Sequence, residues 1–300
     1  MTLYNNILET IGNTPIVRLN KLAQNIFAKV ESFNPAGSIK DRVAFNMLTK
    51  AFEKSLINES STIIEPTSGN TGVGLCMAAA YYNLKIIIVM PESMSEERKR
   101  LMKAYGAELV LTEASKGMKG AIEKATELNK TIENSFIPQQ FSNKFNPEAH
   151  YNTTSEEIIK DMEGNIDYFV AGIGTGGTIS GVGKKLKEKI ENVKIIGVEP
   201  YSSPYLTEGK SGAHKIQGIG AGFKPEILNL DVIDKIITVK NEDAYNTTKT
   251  LAQKEGILAG ISAGANLWAA LEIAKQNQDK NIVVILPDTG ERYLSTGVFD

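Results

Sequence analysis

A series of short stretches in this chain is apolar at nearly every position, the pattern of strands covered on both faces. The clearest are 85–90, Lys-Ile-Ile-Ile-Val-Met, and 282–286, Ile-Val-Val-Ile-Leu. Further strands, less uniformly apolar, are read at 16–19, 26–31, 61–65, 108–111, 168–171 and 194–198. Between them, apolar residues at helical spacing predict helices over 1–11, 40–54, 95–105, 116–130, 148–162, 242–255 and 263–276, an Ala-rich one ending at 82, and one from 177 to 189. Strands alternating with helices give an α/β fold with largely parallel sheets. The alternation loosens over 134–147, where Pro138, Gln139, Gln140 and Pro147 collect, and this is read as a domain crossing. A long irregular stretch over 200–225 is rich in Gly, Ser and Pro; such loops inside compact domains are usually functional or disordered.

Composition narrows the function. Lys plus Arg number 33 and Asp plus Glu 35, a net charge of -2, which gives no electrostatic reason to expect nucleic acid or a membrane as partner. A single cysteine, Cys76, excludes an intrachain disulfide and points to a reducing compartment. No leader pattern and no apolar run of membrane-span length is read, so a cytoplasmic location is expected. Two histidines and no CxxC pair leave little for a metal site or a serine–histidine triad, and no metal is expected.

The candidate chemistry sits in loops between strands and helices. The run Asn34-Pro35-Ala36-Gly37-Ser38-Ile39-Lys40-Asp41-Arg42 stops a turn at a lysine. Ser38 as N-cap, with Asp41 three residues on, places Lys40 in the first turn of a helix, where the dipole disfavours a cation and makes a neutral, nucleophilic amine more accessible. A solvated lysine in a capped helix is the plain alternative. Gly172-Ile173-Gly174-Thr175-Gly176-Gly177-Thr178 joins a strand to a helix, with glycines for close backbone approach and free N–H donors for a phosphate. It also matches G-x-G-x-x-G, and Glu199 ends the next strand where a dinucleotide-binding acid is expected, so an NAD-dependent dehydrogenase is a rival. Pro66–Gly72 crowds small polar donors at a helix start: Thr67, Ser68, Gly69, Asn70 and Thr71 suit a carboxylate, or simply cap the helix. Ser262, in Gly260-Ile261-Ser262-Ala263-Gly264, reads on its own as an N-cap. Four such loops, counting 286–293, suggest one crevice at the carboxyl ends of strands.

Taken together, these runs resemble the cysteine synthase (O-acetylserine sulfhydrylase) family of fold-type II pyridoxal-phosphate enzymes. The matching segments are 12–15 (Gly-Asn-Thr-Pro), 38–42, 65–72, 174–178, 215–223 and 290–296, spread over almost the whole chain. The resemblance implies two domains, each a mostly parallel twisted sheet flanked by helices, with the active site in the cleft between them. A smaller mobile domain of residues 40–145 would carry the substrate carboxylate loop, and a larger one of 1–39 plus 146–300 the cofactor phosphate loop. The cofactor implied is pyridoxal 5'-phosphate. Lys40 would form the Schiff base and move the α-proton, Asn70 would bond the phenolic oxygen, and Gly174, Thr175, Gly176, Gly177 and Thr178 would cradle the phosphate. Ser262 would meet the pyridine nitrogen, while Thr67, Ser68, Gly69, Thr71 and Gln140 would hold the substrate carboxylate. A neutral serine opposite the ring nitrogen makes a weaker electron sink than a carboxylate partner would. The implied reaction is therefore β-replacement through an aminoacrylate.

The activity expected first is L-cysteine synthesis from O-acetyl-L-serine and sulfide by a homodimer. The alternative is the same chemistry on L-cysteine, releasing hydrogen sulfide and adding water or a thiol to form serine or lanthionine. Asp231 stands where the family tends to carry a basic residue. A carboxylate there is a candidate general base for water or a thiol, or else a solvent-facing aspartate beside Asp234.

Overall fold

A computed structural model describes residues 3–67 and 69–300. The chain forms two compact units, one of the N-terminal stretch to Ile11 with Lys40–Phe145, the other of Gly12–Ile39 with Asn146–Asp300. The N-terminal stretch, expected in the larger unit, thus groups with the smaller.

The strands are β1 (Ile16–Arg18), β2 (Ile26–Val30), β3 (Thr62–Pro66), β4 (Lys85–Pro91), β5 (Glu108–Thr112), β6 (Ser135–Phe136), β7 (Tyr168–Gly172), β8 (Lys194–Pro200), β9 (Lys235–Val239) and β10 (Ile282–Leu286). The helices are α1 (Lys40–Glu53), α2 (Asn70–Tyr81), α3 (Glu96–Ala104), α4 (Gly117–Thr131), α5 (Phe145–Ala149), α6 (Ser155–Asp161), α7 (Gly177–Lys189), α8 (Tyr205–Glu208), α9 (Asn241–Glu255) and α10 (Ile261–Gln276).

The smaller unit holds a parallel sheet in the order β5-β4-β3-β6. Ile64, Ile87 and Val89 pack with Ala121 and Ala125 of α4 on one face. The larger unit holds the order β1-β2-β10-β7-β8-β9, parallel except for β1 against β2. Its strands alternate between two cores. Ile282, Val284 and Leu286 face α9 and α10, while Val283 and Ile285 join Phe169, Ala171, Ile179 and Val182 on the other side. Burial on both faces is why β10 is apolar at every position rather than at every second one.

Several elements differ from the sequence reading. The helix expected over 1–11 is a single 3₁₀ turn, Ile7–Thr10. The helix expected from 148 begins at Phe145 and passes through a π-helical turn, His150–Thr154. β6 and β9 are edge strands without a marked pattern: β6 has two residues, and β9 is buried only at Val239. Helix α1 begins at Lys40, so Ser38 lies two residues ahead of it and pairs instead with Asp288 in an isolated β-bridge. No helix of the described residues is long and apolar enough to cross a membrane.

Candidate active site

In the smaller unit the first turn of α1 presents Lys40, half-buried, beside the buried Asp41 and Arg42. Helix α2 packs on that turn at Gly74, where a Cβ would lie 3.1 Å from the Lys40 carbonyl oxygen and 3.1 Å from Ala44 Cβ. A side chain there would oblige the neighbouring helix to give by a few tenths of an ångström, so glycine suits this close approach. The close crossing fixes the start of α2, and with it the 66–72 loop, relative to Lys40. Asn70 is the first residue of α2 and Gly69 is its N-cap. Gly69 has no side chain to cap with, so a side-chain-capped helix does not explain this cluster of polar groups. The Gly69 N–H points back to Thr67 Oγ1 at 3.4 Å, and the space where a Gly69 Cβ would stand is open to 4 Å. Thr67 and Thr71 are buried. Thr71 donates its hydroxyl to Gln140 Oε1 at 2.7 Å, which brings Gln140 to the loop across a long stretch of sequence. Ser68 lies outside the described residues.

In the larger unit Gly174–Thr178 runs from β7 into α7. Gly176 is the N-cap of α7, with φ of 83°, a left-handed conformation that glycine takes without strain. A Cβ on Gly174 would lie 2.3 Å from the Gly218 carbonyl oxygen, and one on Gly177 would lie 1.9 Å from Asn146 Oδ1. The cradle therefore admits no side chain at these two positions. Its hydroxyl partners are held from outside: Asn146 Nδ2 donates to Thr175 Oγ1 at 3.0 Å, and His150 Nε2 lies 3.3 Å from Thr178 Oγ1. The π turn carries His150 at this point.

Ser262 is not the N-cap of α10. The helix begins at Ile261 with Gly260 as its cap, so Ser262 is inside the first turn and buried. A Cβ on Gly218 would lie 3.7 Å from Ser262 Oγ, so Gly218 stands between Ser262 and Gly174.

The loop leading into Lys40 is braced within the larger unit by distant segments. Gly12 N donates to Asn34 Oδ1 at 2.9 Å, and Asn34 Nδ2 donates to Glu31 Oε2 at 2.9 Å. Thr14 donates to Glu31 Oε1 at 2.6 Å. Ile39 N donates to the Pro287 carbonyl at 2.8 Å, and the Arg292 guanidinium donates to the Ala36 carbonyl. The 12–15 and 290–296 segments thus support the approach to Lys40.

Glu199 comes out differently from the dinucleotide reading, and Asp231 has surroundings of its own. Glu199 accepts from Leu206 N at 2.9 Å, Thr207 N at 3.1 Å and Thr207 Oγ1 at 2.5 Å. That carboxylate holds the start of α8, which leaves a dinucleotide ribose without its acid. Asp231 is exposed in a 3₁₀ turn, Leu230–Val232, where its N–H donates to Asn229 Oδ1 at 3.0 Å. Among the described residues no cluster of acidic, histidine or cysteine side chains is arranged to hold a metal.

Sequence reading missed Glu65, Asn146 and His150 as parts of these loops. A cue was present in Glu65, a charge directly after the apolar pair Ile63-Ile64 of β3; the other two gave none, because their partners lie on other elements.

Residues 7–288 match the model of the pyridoxal-phosphate dependent enzyme family. The chain is 54% identical over 299 residues to cysteine synthase B of Campylobacter jejuni, covering 100% of both. It superposes on a cysteine synthase from Entamoeba histolytica with a TM-score of 0.95 at 44% identity, covering 99% of this chain and 91% of that one. A hydrogen sulfide-producing enzyme from Fusobacterium nucleatum gives 0.94 at 47%, covering 97% and 100%. By this match the chain is a member of the pyridoxal-phosphate dependent enzymes, within their cysteine synthase family.

Proposed function

We propose that this chain makes L-cysteine from O-acetyl-L-serine and sulfide by β-replacement. The observation that carries this reading is the Gly174–Gly218–Ser262 arrangement. The buried residue Ser262 stands one glycine away from a glycine cradle at a helix N-terminus. That set fits pyridoxal phosphate: Gly174, Thr175, Gly176, Gly177 and Thr178 would hold the phosphate, Ser262 the ring nitrogen, Asn70 the ring oxygen and Lys40 the carbonyl carbon. When bound, the cofactor supplies an electron sink for the bonds at an amino acid's Cα. Thr67, Ser68, Gly69, Thr71 and Gln140 receive the substrate carboxylate through hydroxyl, amide and backbone N–H donors. The Lys40 amine takes the proton from Cα. Acetate then leaves from Cβ and sulfide adds there.

A second reading uses the same groups on L-cysteine, with sulfide as leaving group and water or a thiol as the incoming nucleophile. Asp231 favours it, as an exposed carboxylate available to accept a proton, and so does the likeness to a hydrogen sulfide-producing enzyme. Incubation with O-acetylserine plus sulfide, and separately with L-cysteine alone, decides between them. Faster cysteine formation supports the first reading; faster sulfide release, lost in Asp231→Asn, supports the second; bound NAD in place of pyridoxal phosphate refutes both. The reading also takes the enzyme to be a cytoplasmic homodimer, and light scattering on the purified protein checks the dimer.

A further inference from the structure

Glu65 is the last residue but one of β3, just ahead of the polar loop, and is 1% exposed. Its Oε1 accepts from Gln140 Nε2 at 3.3 Å, and Gln140 Oε1 accepts from Thr71 at 2.7 Å. The other carboxyl oxygen, Oε2, is buried with no hydrogen-bond partner. A charged carboxylate buried with one oxygen unpartnered is costly, and the usual outcome is that the group stays protonated. Burial pushes the Glu65 pKa up to about 8, against the pull of the Gln139 and Gln140 backbone amides and the Gln140 side chain. No charged neighbour contributes. Neither Cys76 and Tyr81 on α2, nor Lys85 on β4, nor Lys40, Asp41 and Arg42 on α1, nor Lys119, Glu123 and Lys124 on α4 is among its causes.

We propose that Glu65, as a neutral carboxyl, is a positioning residue for the carboxylate-receiving loop: it orients Gln140, and through it Thr71, without placing a negative charge behind an anion site. The proposal rests on the reading that Thr67–Thr71 and Gln140 receive the substrate carboxylate. A glutamine amide holds its donor and acceptor ends in a fixed relation. Anchoring the NH₂ end on Glu65 therefore turns the carbonyl end to Thr71. Loss of the Glu65 proton would leave that bond in place and add a like charge close to the incoming carboxylate. Amino-acid affinity should then fall as the pH rises through the titration of Glu65.

The test is titration of the holoenzyme with L-alanine, which carries the carboxylate but no β-leaving group, followed by cofactor absorbance between about pH 6.5 and about pH 9.5. Wild type should show a loss of affinity centred near pH 8, on the order of 10-fold, that is missing from Glu65→Gln. Glu65→Ala should bind L-alanine roughly 10-fold more weakly at every pH, with cofactor content unchanged. Identical pH profiles for wild type and Glu65→Gln would overturn the proposal. Thr71→Val separates it from the reading beneath it. If Thr71→Val weakens binding while Glu65→Gln keeps the wild-type profile, the Glu65 role alone fails; if Thr71→Val binds as wild type does, the carboxylate assignment fails and takes the proposal with it. Should Glu65→Gln not fold, infrared spectroscopy of wild type gives the answer. A carboxylic-acid C=O band present at about pH 7 and gone by about pH 9.5 is expected, and its absence at neutral pH refutes the idea.

Discussion

Asn146 Nδ2 donates to Thr175 Oγ1 at 3.0 Å with both residues buried, so the glycine cradle is held from behind by a side chain outside it. Removing one partner of a buried hydrogen bond costs about 1–3 kcal/mol. Asn146→Ala is expected to lower pyridoxal phosphate affinity roughly 10-fold or more, since each 1.4 kcal/mol is about a factor of ten. Dialysis against cofactor-free buffer, followed by absorbance of the retained cofactor, measures this. Retention equal to wild type would mean the cradle holds its shape without Asn146.

Gly69 offers a test that separates folding from binding. Its φ of -122° is open to any residue, and nothing lies within 4 Å of where its Cβ would stand. Gly69→Ala should leave the melting temperature close to wild type, because a substitution that touches nothing stays within about 0.5 kcal/mol. If the open space receives the substrate carboxylate, KM for O-acetylserine should rise roughly 10-fold or more while cofactor content is unchanged. An unaltered KM would place the carboxylate elsewhere.

Gly181 on α7 faces the 145–154 helix so closely that a Cβ would lie 2.2 Å from the Pro147 carbonyl oxygen and 2.9 Å from His150 Cβ. Alanine gains about 1 kcal/mol in helix propensity over glycine, but here it meets backbone that cannot swing aside. Overpacking of this kind costs about 1–3 kcal/mol, so Gly181→Ala is expected to be destabilised on balance in urea unfolding. A more stable variant would show that the two helices separate easily.

Glu65 also sets a pH slope on stability. Its carboxyl keeps its proton in the folded chain up to about 8, against an ordinary value of 4.5. The folded state therefore binds more protons than the unfolded state between those values, and stability falls as the pH rises through that window, then levels off above it. The size is on the order of a few kcal/mol, since each pKa unit is worth about 1.4 kcal/mol. Glu65→Gln should flatten that part of the curve in urea denaturation between about pH 5 and about pH 8. A slope unchanged in the variant would mean that Glu65 titrates normally.

The sequence by itself determined the fold class and the family, and it marked out the loops proposed to carry the chemistry. The continuous apolar runs of β4 and β10 dictate strands buried on both faces, and Gly174, Gly176 and Gly177 before a helical pattern dictate a helix N-terminus open to an anion. These are local properties, written in consecutive residues. It could not decide what Ser38 and Ser262 do: both satisfy a cap pattern, yet α1 begins at Lys40 and α10 is capped at Gly260, which leaves Ser262 inside the turn. Nor could it place Glu65 behind Gln140 and Thr71, join Asn146 to Thr175, or commit Glu199 to α8. Those assignments depend on hydrogen bonds between groups far apart in the chain, and on a burial that turns an ordinary acid into a neutral one. Only the packed tertiary structure brings such partners within reach and removes the water that would otherwise compete for them.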